Sequence, residues 1–131
     1  MILVDTSAWI EYLRATGSPV HRRVRRLVET GEAIATTEPV VMEVLAGARD
    51  SAHLRSLRRL LTGCELLPVE GLLAWERAAG IWRICRRAGG ETVRSLTDCL
   101  IADVALGARV PVLHADRDFE VIARSTDLQL A

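Results

Sequence analysis

The sequence predicts an α/β domain built on a mainly parallel sheet of five strands, with helices covering both faces. Three observations predict it. Short apolar runs alternate along the chain with helix-length segments of 3.6-residue periodicity. The short runs are apolar at consecutive positions, as in strands buried on both faces. The chain has 131 residues, half of them apolar, enough for one substantial core. A single domain over residues 1–131 is therefore expected, with no internal repeat and no linker.

The elements follow in order. "ILV" at residues 2–4 is the first strand, and "TSAWIEYLR" is a helix with Trp9, Ile10 and Leu13 on one side. "SPVHRRVRRLVETG" is a second helix, with Ser18 as its cap, Pro19 in the first turn and Gly31 as its stop. Its apolar stripe is Val20, Val24, Leu27 and Val28, which leaves Arg22, Arg23, Arg25 and Arg26 facing water. "AIAT" is the second strand, followed by helices at "EPVVMEVLAGA" and "SAHLRSLRRLL" and a third strand at "CELLPV". A long helix runs from Glu70 to Ala88 and stops at Gly89-Gly90. "SLTDCLIADVALGAR" is apolar nearly all round and reads as a buried helix. "VPVL" is the fourth strand, "DFEVIAR" a helix with Asp118 at its start, and "LQL" the fifth strand.

Composition narrows the function. All 17 basic residues are arginine, 17 acids balance them, and lysine is absent. Codon usage in a GC-rich genome accounts for that arginine bias as readily as phosphate recognition does. Cys64, Cys85 and Cys99 are odd in number and widely spaced, which predicts free thiols in a reducing compartment. The N-terminal segment has no charged leader and no apolar run spans a membrane, so a cytoplasmic protein is expected. Lacking lysine, the chain does not fit a receiver domain or a haloacid-dehalogenase-type phosphatase. Its first strand also ends on the single acid of "DTS".

The acids carry the chemistry. Asp5 directly follows the first strand and Asp116 the fourth, and ligands of open parallel sheets bind at strand carboxyl ends. Glu43 borders the apolar stripe of its helix, with Gly47 one turn on. Asp98 shares a face with Ile101, Ala102 and Ala105, where an ionised carboxylate is costly unless paired or bound to a metal. Each acid also has a local explanation: Asp5 as a helix cap, Glu43 as a boundary residue, Asp98 as a capping-box partner of Ser95. Asp103 lies on another side of its helix and reads as structural. Four carboxylates in one cleft need a counter-ion, and an all-oxygen set selects Mg²⁺ or Mn²⁺ over zinc. Such a site suits phosphodiester hydrolysis by a metal-activated water.

"MILVDTSAWIEYL", "TTEPVVMEVLAGAR", "SLTDCLIADVAL" and "VLHADRDFEVIA" resemble, in order and spacing, the four motifs of PIN-domain ribonucleases. Within that family the similarity is greatest to the VapC toxins of bacterial VapBC toxin–antitoxin systems. The resemblance implies a three-layer α/β/α PIN-like fold and an endoribonuclease toxin of a type II system. It assigns Asp5, Glu43, Asp98 and Asp116 to Mg²⁺ binding and catalysis, with Mn²⁺ as a substitute and Asp118 as a weaker ligand. Thr6 or Ser7 matches a hydroxyl that positions water. His114 stands where many members have threonine or serine, and either touches substrate or packs at a strand end. The resemblance also implies an RNA substrate, a homodimer and an inhibiting VapB-like antitoxin. Trp9, Ile10 and Leu13 are candidates to line the antitoxin's groove, Ile10 reading rather as core. Arginines at the cleft rim would attract phosphate locally despite the neutral net charge, with Arg14, Arg87, Arg94 and Arg117 near motifs. The competing reading is a catalytically inactive PIN-like module that only binds RNA or protein.

Overall fold

A computed structural model describes residues 1–89 and 91–131. Four strands form one parallel sheet: β1 (Ile2–Val4), β2 (Ile34–Thr36), β3 (Glu65–Leu66) and β4 (Val112–Leu113), in the order β3-β2-β1-β4. The register pairs Leu3 with both Ala35 and Val112, so β1 is central. Among the described residues, seven helices connect and flank the strands: α1 (Thr6–Leu13), α2 (Pro19–Thr30), α3 (Glu38–Ala46), α4 (Ser51–Thr62), α5 (Gly71–Gly89), α6 (Leu96–Ala108) and α7 (Arg117–Ser125).

The expected fifth strand is corrected. Only Leu130 of "LQL" pairs with the sheet, through one parallel bridge to Val112, held by Val112 N–H to Gln129 O and Ala131 N–H to Val112 O. A β4 of two residues offers too short a template for a longer ladder. The long helix ends as expected at Gly89, while Gly90 lies outside the described residues.

Right-handed crossovers dictate the layers. From β1 to β2 to β3 the chain steps one way, which stacks α1–α4 on one face. From β3 it jumps back across two strands to β4, which carries α5 and α6 to the other face, where α7 joins them. The stepping direction therefore reverses at β1. That reversal opens a crevice beyond the carboxyl ends of β1 and β4. The core beneath it holds Leu3, Trp9, Leu27, Ile101, Phe119 and Ile122, all fully buried.

Local chemistry places the helix ends that shape the crevice. Ser18 caps α2 through His21 N–H, Pro19 opens the helix, and Gly31 closes it at φ 68°, a left-handed conformation suited to a residue without Cβ. Asp5 caps α1, its side chain accepting from Ser7 N–H. Asp116, not Asp118, caps α7. Asp116 has extended backbone and accepts from Asp118 N–H at 2.9 Å, so the helix begins two residues earlier than a cap at Asp118 would place it, and Asp118 falls in its first turn. No capping box forms at Ser95, whose hydroxyl makes no cap bond. Asp103 is structural, as expected, its carboxylate receiving both Nε and Nη2 of Arg77.

Candidate active site

The crevice gathers every acid the sequence singles out. Asp98, Asp116 and Asp118 form its tightest group, each offering a carboxylate oxygen within 4.8 Å of the others. Asp5 and Glu43 border it. Asp116 acts electrostatically on both, and Asp5 on Glu43 and Asp98. Four elements meet here because each ends or turns at the sheet's reversal: β1 supplies Asp5, α3 Glu43, α6 Asp98, and the β4–α7 turn Asp116.

Burial sets the electrostatics. Asp98 is 6% exposed, and its carboxyl is pushed up to about 9 by burial, by a hydrogen bond shared with Asp118, and by the charges of Asp5, Asp116 and Asp118. Asp5 and Glu43 are also raised, in each case mainly by burial, partly offset by hydrogen bonds from Ser7 and Thr6 respectively. Asp118 behaves oppositely. Burial raises it, but the amides of Arg94 and Ser95, a hydrogen bond from Asp98 and the Arg94 guanidinium together hold it below the usual carboxylate range.

The hydroxyls fix the frame. Ser7 Oγ donates to Asp5 Oδ2 at 2.6 Å and accepts from Ala115 N–H at 2.9 Å, joining the turn after β1 to the turn after β4. Thr6 Oγ1 donates to Glu43 Oε1 at 3.1 Å. His114 accepts Asp116 N–H on Nδ1 and packs its ring 5.4 Å from that of Phe119. Its role in the structure is to shape the turn that aims Asp116.

Two oxygens decide what the site can hold. Asp5 Oδ1 and Asp98 Oδ2 are buried and have no hydrogen-bond partner, in a chain whose other buried carboxylates at the crevice are engaged. A buried carboxylate oxygen without a donor requires either a proton or a cation. The surrounding donors are all oxygens, so the residues present fit a hard divalent ion.

Two expectations change at the rim. Trp9 is fully buried and is a core residue, because it lies on the side of α1 that faces the sheet. Ile10 and Leu13, on the same short helix, are exposed. They line a groove of about 300 Å³ with Thr6, Glu43, Gly47 and Leu57, which meets the acid site at Glu43. Arg14 and Arg49 also line it; Arg49, the last residue of the second motif, was not singled out from the sequence. Arg94 reaches the acids themselves, whereas Arg117, adjacent to Asp116, turns to Glu91 at 3.5 Å. No periodicity marks Arg94, since it lies in the loop ahead of α6.

The chain's similarities agree with this geometry. The PIN domain family model matches residues 2–125. Ribonuclease VapC11 of Mycobacterium tuberculosis is 52% identical over 132 residues, spanning 100% of this chain and 98% of that protein. Ribonuclease VapC51 of the same species is 34% identical over 95% of this chain and 86% of its own length. Among solved structures, the DNA-bound VapBC2 of Rickettsia felis superposes with a TM-score of 0.72 at 18% identity, covering 100% of this chain and 98% of that one. A sheet that reverses at β1, an acid at each strand end beside it, and a match over nearly its whole length place this chain in the PIN-domain family.

Proposed function

We propose that this chain is a divalent-metal-dependent endoribonuclease of the VapC type, the toxin half of a type II toxin–antitoxin pair, acting in the cytoplasm as one unit over residues 1–131. The observation that carries the reading is the pair of buried, unpartnered oxygens, Asp5 Oδ1 and Asp98 Oδ2, inside a four-acid crevice. Its relatives named as ribonucleases supply the substrate class. Asp5, Glu43, Asp98 and Asp116 would hold Mg²⁺, or Mn²⁺ in its place, with Asp118 a weaker contributor because both of its oxygens already accept hydrogen bonds.

Bound there, the ion would activate water and stabilise charge on the phosphodiester. The chain's own residues do the rest. Ser7 holds Asp5 and the Ala115 turn at a fixed separation. Thr6 orients Glu43, leaving its second oxygen free. His114 orients Asp116 through the main chain. The Ile10–Leu13 groove, which shares Thr6 and Glu43 with the acid site, would receive a VapB-like antitoxin segment. The solved VapBC complexes that share this fold favour such a partner. Exposed Leu72, Leu73 and Trp75 at the start of α5 would form a homodimer contact.

The test is incubation of antitoxin-free protein with total RNA in Mg²⁺, in Mn²⁺ and in EDTA, with Asp98→Asn alongside. Discrete fragments should form with either metal and vanish with EDTA or in the variant. Cleavage that persists in EDTA would reject the reading. An inactive binding module would retain RNA in every condition and cut in none.

A further inference from the structure

Among the described residues, Arg94 is the one basic side chain within ion-pair distance of the crevice acids. Its main chain is tied down independently of its side chain, since the amides of Arg94 and Ser95 both donate to Asp118 Oδ2 at 3.0 Å. The guanidinium then lies across two carboxylates, with Nη2 3.2 Å from Asp116 Oδ1 and Nε 3.4 Å from Asp118 Oδ1. Yet the side chain is 66% exposed, and Nη1 makes no hydrogen bond. An anchored backbone, an exposed side chain and unused donors describe a cation that can leave its partner without disturbing the fold.

We propose that Arg94 is the resident counter-cation of this site, pairing with Asp116 until a divalent ion arrives and then turning its free donors to a phosphate of the RNA strand. This rests on the metal-dependent ribonuclease reading above. The reason is charge. Asp116 Oδ1 is already shared by Arg94 and Asp118 N–H, while Oδ2 stays open. A divalent ion drawn to that carboxylate would stand beside the guanidinium, and like charges on one carboxylate repel. Asp118 keeps its contact at the Nε end, so the Nη donors are the ones set free. Released at the mouth of the crevice, the planar fork matches a phosphate's oxygens better than an ammonium would. Arg94 is thus a positioning residue twice over: it neutralises the empty site and steers the strand at the filled one.

Calorimetric titration of Mg²⁺ into the wild type, Arg94→Gln and Arg94→Lys tests the first half. Arg94→Gln should bind Mg²⁺ about two- to fivefold more tightly at low salt, the range for an exposed pair. High KCl should shrink that gain by screening. Arg94→Lys keeps the charge and should stay near wild type. The second half is read by fluorescence anisotropy with a single-stranded 2′-O-methyl RNA in Mg²⁺. There Arg94→Gln should bind more weakly, with its salt slope flatter by about 0.7 for one lost phosphate contact. Unchanged or weaker Mg²⁺ affinity in Arg94→Gln overturns the counter-cation role; weaker affinity with a lower melting temperature marks a merely structural residue. Equal behaviour of wild type and Arg94→Gln on the oligonucleotide, including no binding by either, overturns the hand-over. A wild type that binds no Mg²⁺ overturns the ribonuclease reading itself and this inference with it.

Discussion

Asp98 is the residue on which site and fold pull in opposite directions. Its folded-state pKa of about 9 stands far above the ordinary aspartate value, so between about pH 4 and 9 the metal-free fold holds a proton that the unfolded chain has lost. Stability of the metal-free protein should therefore be greatest below that window and fall as pH rises through it. Asp98→Asn removes the titration and keeps a donor toward Asp118. We expect it to raise the metal-free melting temperature by about 4 °C at pH 8, equivalent to about 1 kcal/mol in a chain of this size, and by less at pH 5. Melting curves at the two pH values check this, and a destabilised variant at pH 8 would contradict it. Mg²⁺ binding and RNA cleavage should both be lost. Ser7→Ala, by contrast, should leave the acids in place but unaligned, since Ala115 N–H and Asp5 Oδ2 each lose a partner. Metal affinity should drop about 10-fold or more, the usual effect of removing a group that orients a ligand; titration calorimetry reads it directly.

Elements set how much of this was legible. The acids were visible because each stands at a break in a pattern: Asp5 where an apolar run stops, Asp98 inside an apolar helix. Roles that depend on hydrogen-bond direction carry no such pattern. Whether Asp116 or Asp118 caps α7 turned on two residues of helix start, and Arg94 reaches its partners from a loop. Trp9 and Ile10 are adjacent on a short helix with apolar residues on both sides, so periodicity could not say which faced the groove. The fifth strand failed for another reason, because pairing is limited by the partner's length rather than by the segment's own composition. Some helix ends were readable, as Ser18 and Gly31 at α2 were, while others that matter to the groove carried no reading. Asp50 caps α4, which contributes His53 and Leu57 to the groove wall, by accepting His53 N–H at 2.7 Å. Asp50→Ala should cost about 1 kcal/mol in a urea melt. It should loosen the groove and leave the acid cluster unaltered, so Mg²⁺ affinity should not change.

At the scale of the whole molecule, the exposed apolar residues are unevenly placed. Leu72, Leu73 and Trp75 are 73%, 66% and 58% exposed, side by side at the start of α5, while the second helical face of that segment fills the core through Ala74 and Ala78. Substitution with charge at Leu72 and Trp75 should turn a dimer into a monomer by light scattering, with the melting temperature of the monomer little changed. If the wild type is itself monomeric at the same concentration, the α5 contact is not a dimer interface. On the proposed reading, a chain of zero net charge would meet RNA through local attraction from arginines at the crevice and groove, and binding should fade steeply with salt.

The bond from Ala115 N–H to Ser7 Oγ spans 108 positions of sequence. At the pace of a ribosome, about 5 to 20 s separate the synthesis of its two ends. Through that interval β1 has at most one of its two neighbours, β2, and Asp5 faces an opening where β4 has yet to dock. A polypeptide caught before residue 98 carries only Asp5 and Glu43 of these acids, and one caught before residue 115 still lacks the turn that aligns them. For a molecule that cuts RNA, the topology supplies a delay: the acids and the turn that aligns them come together only once the stretch after β4 has been made.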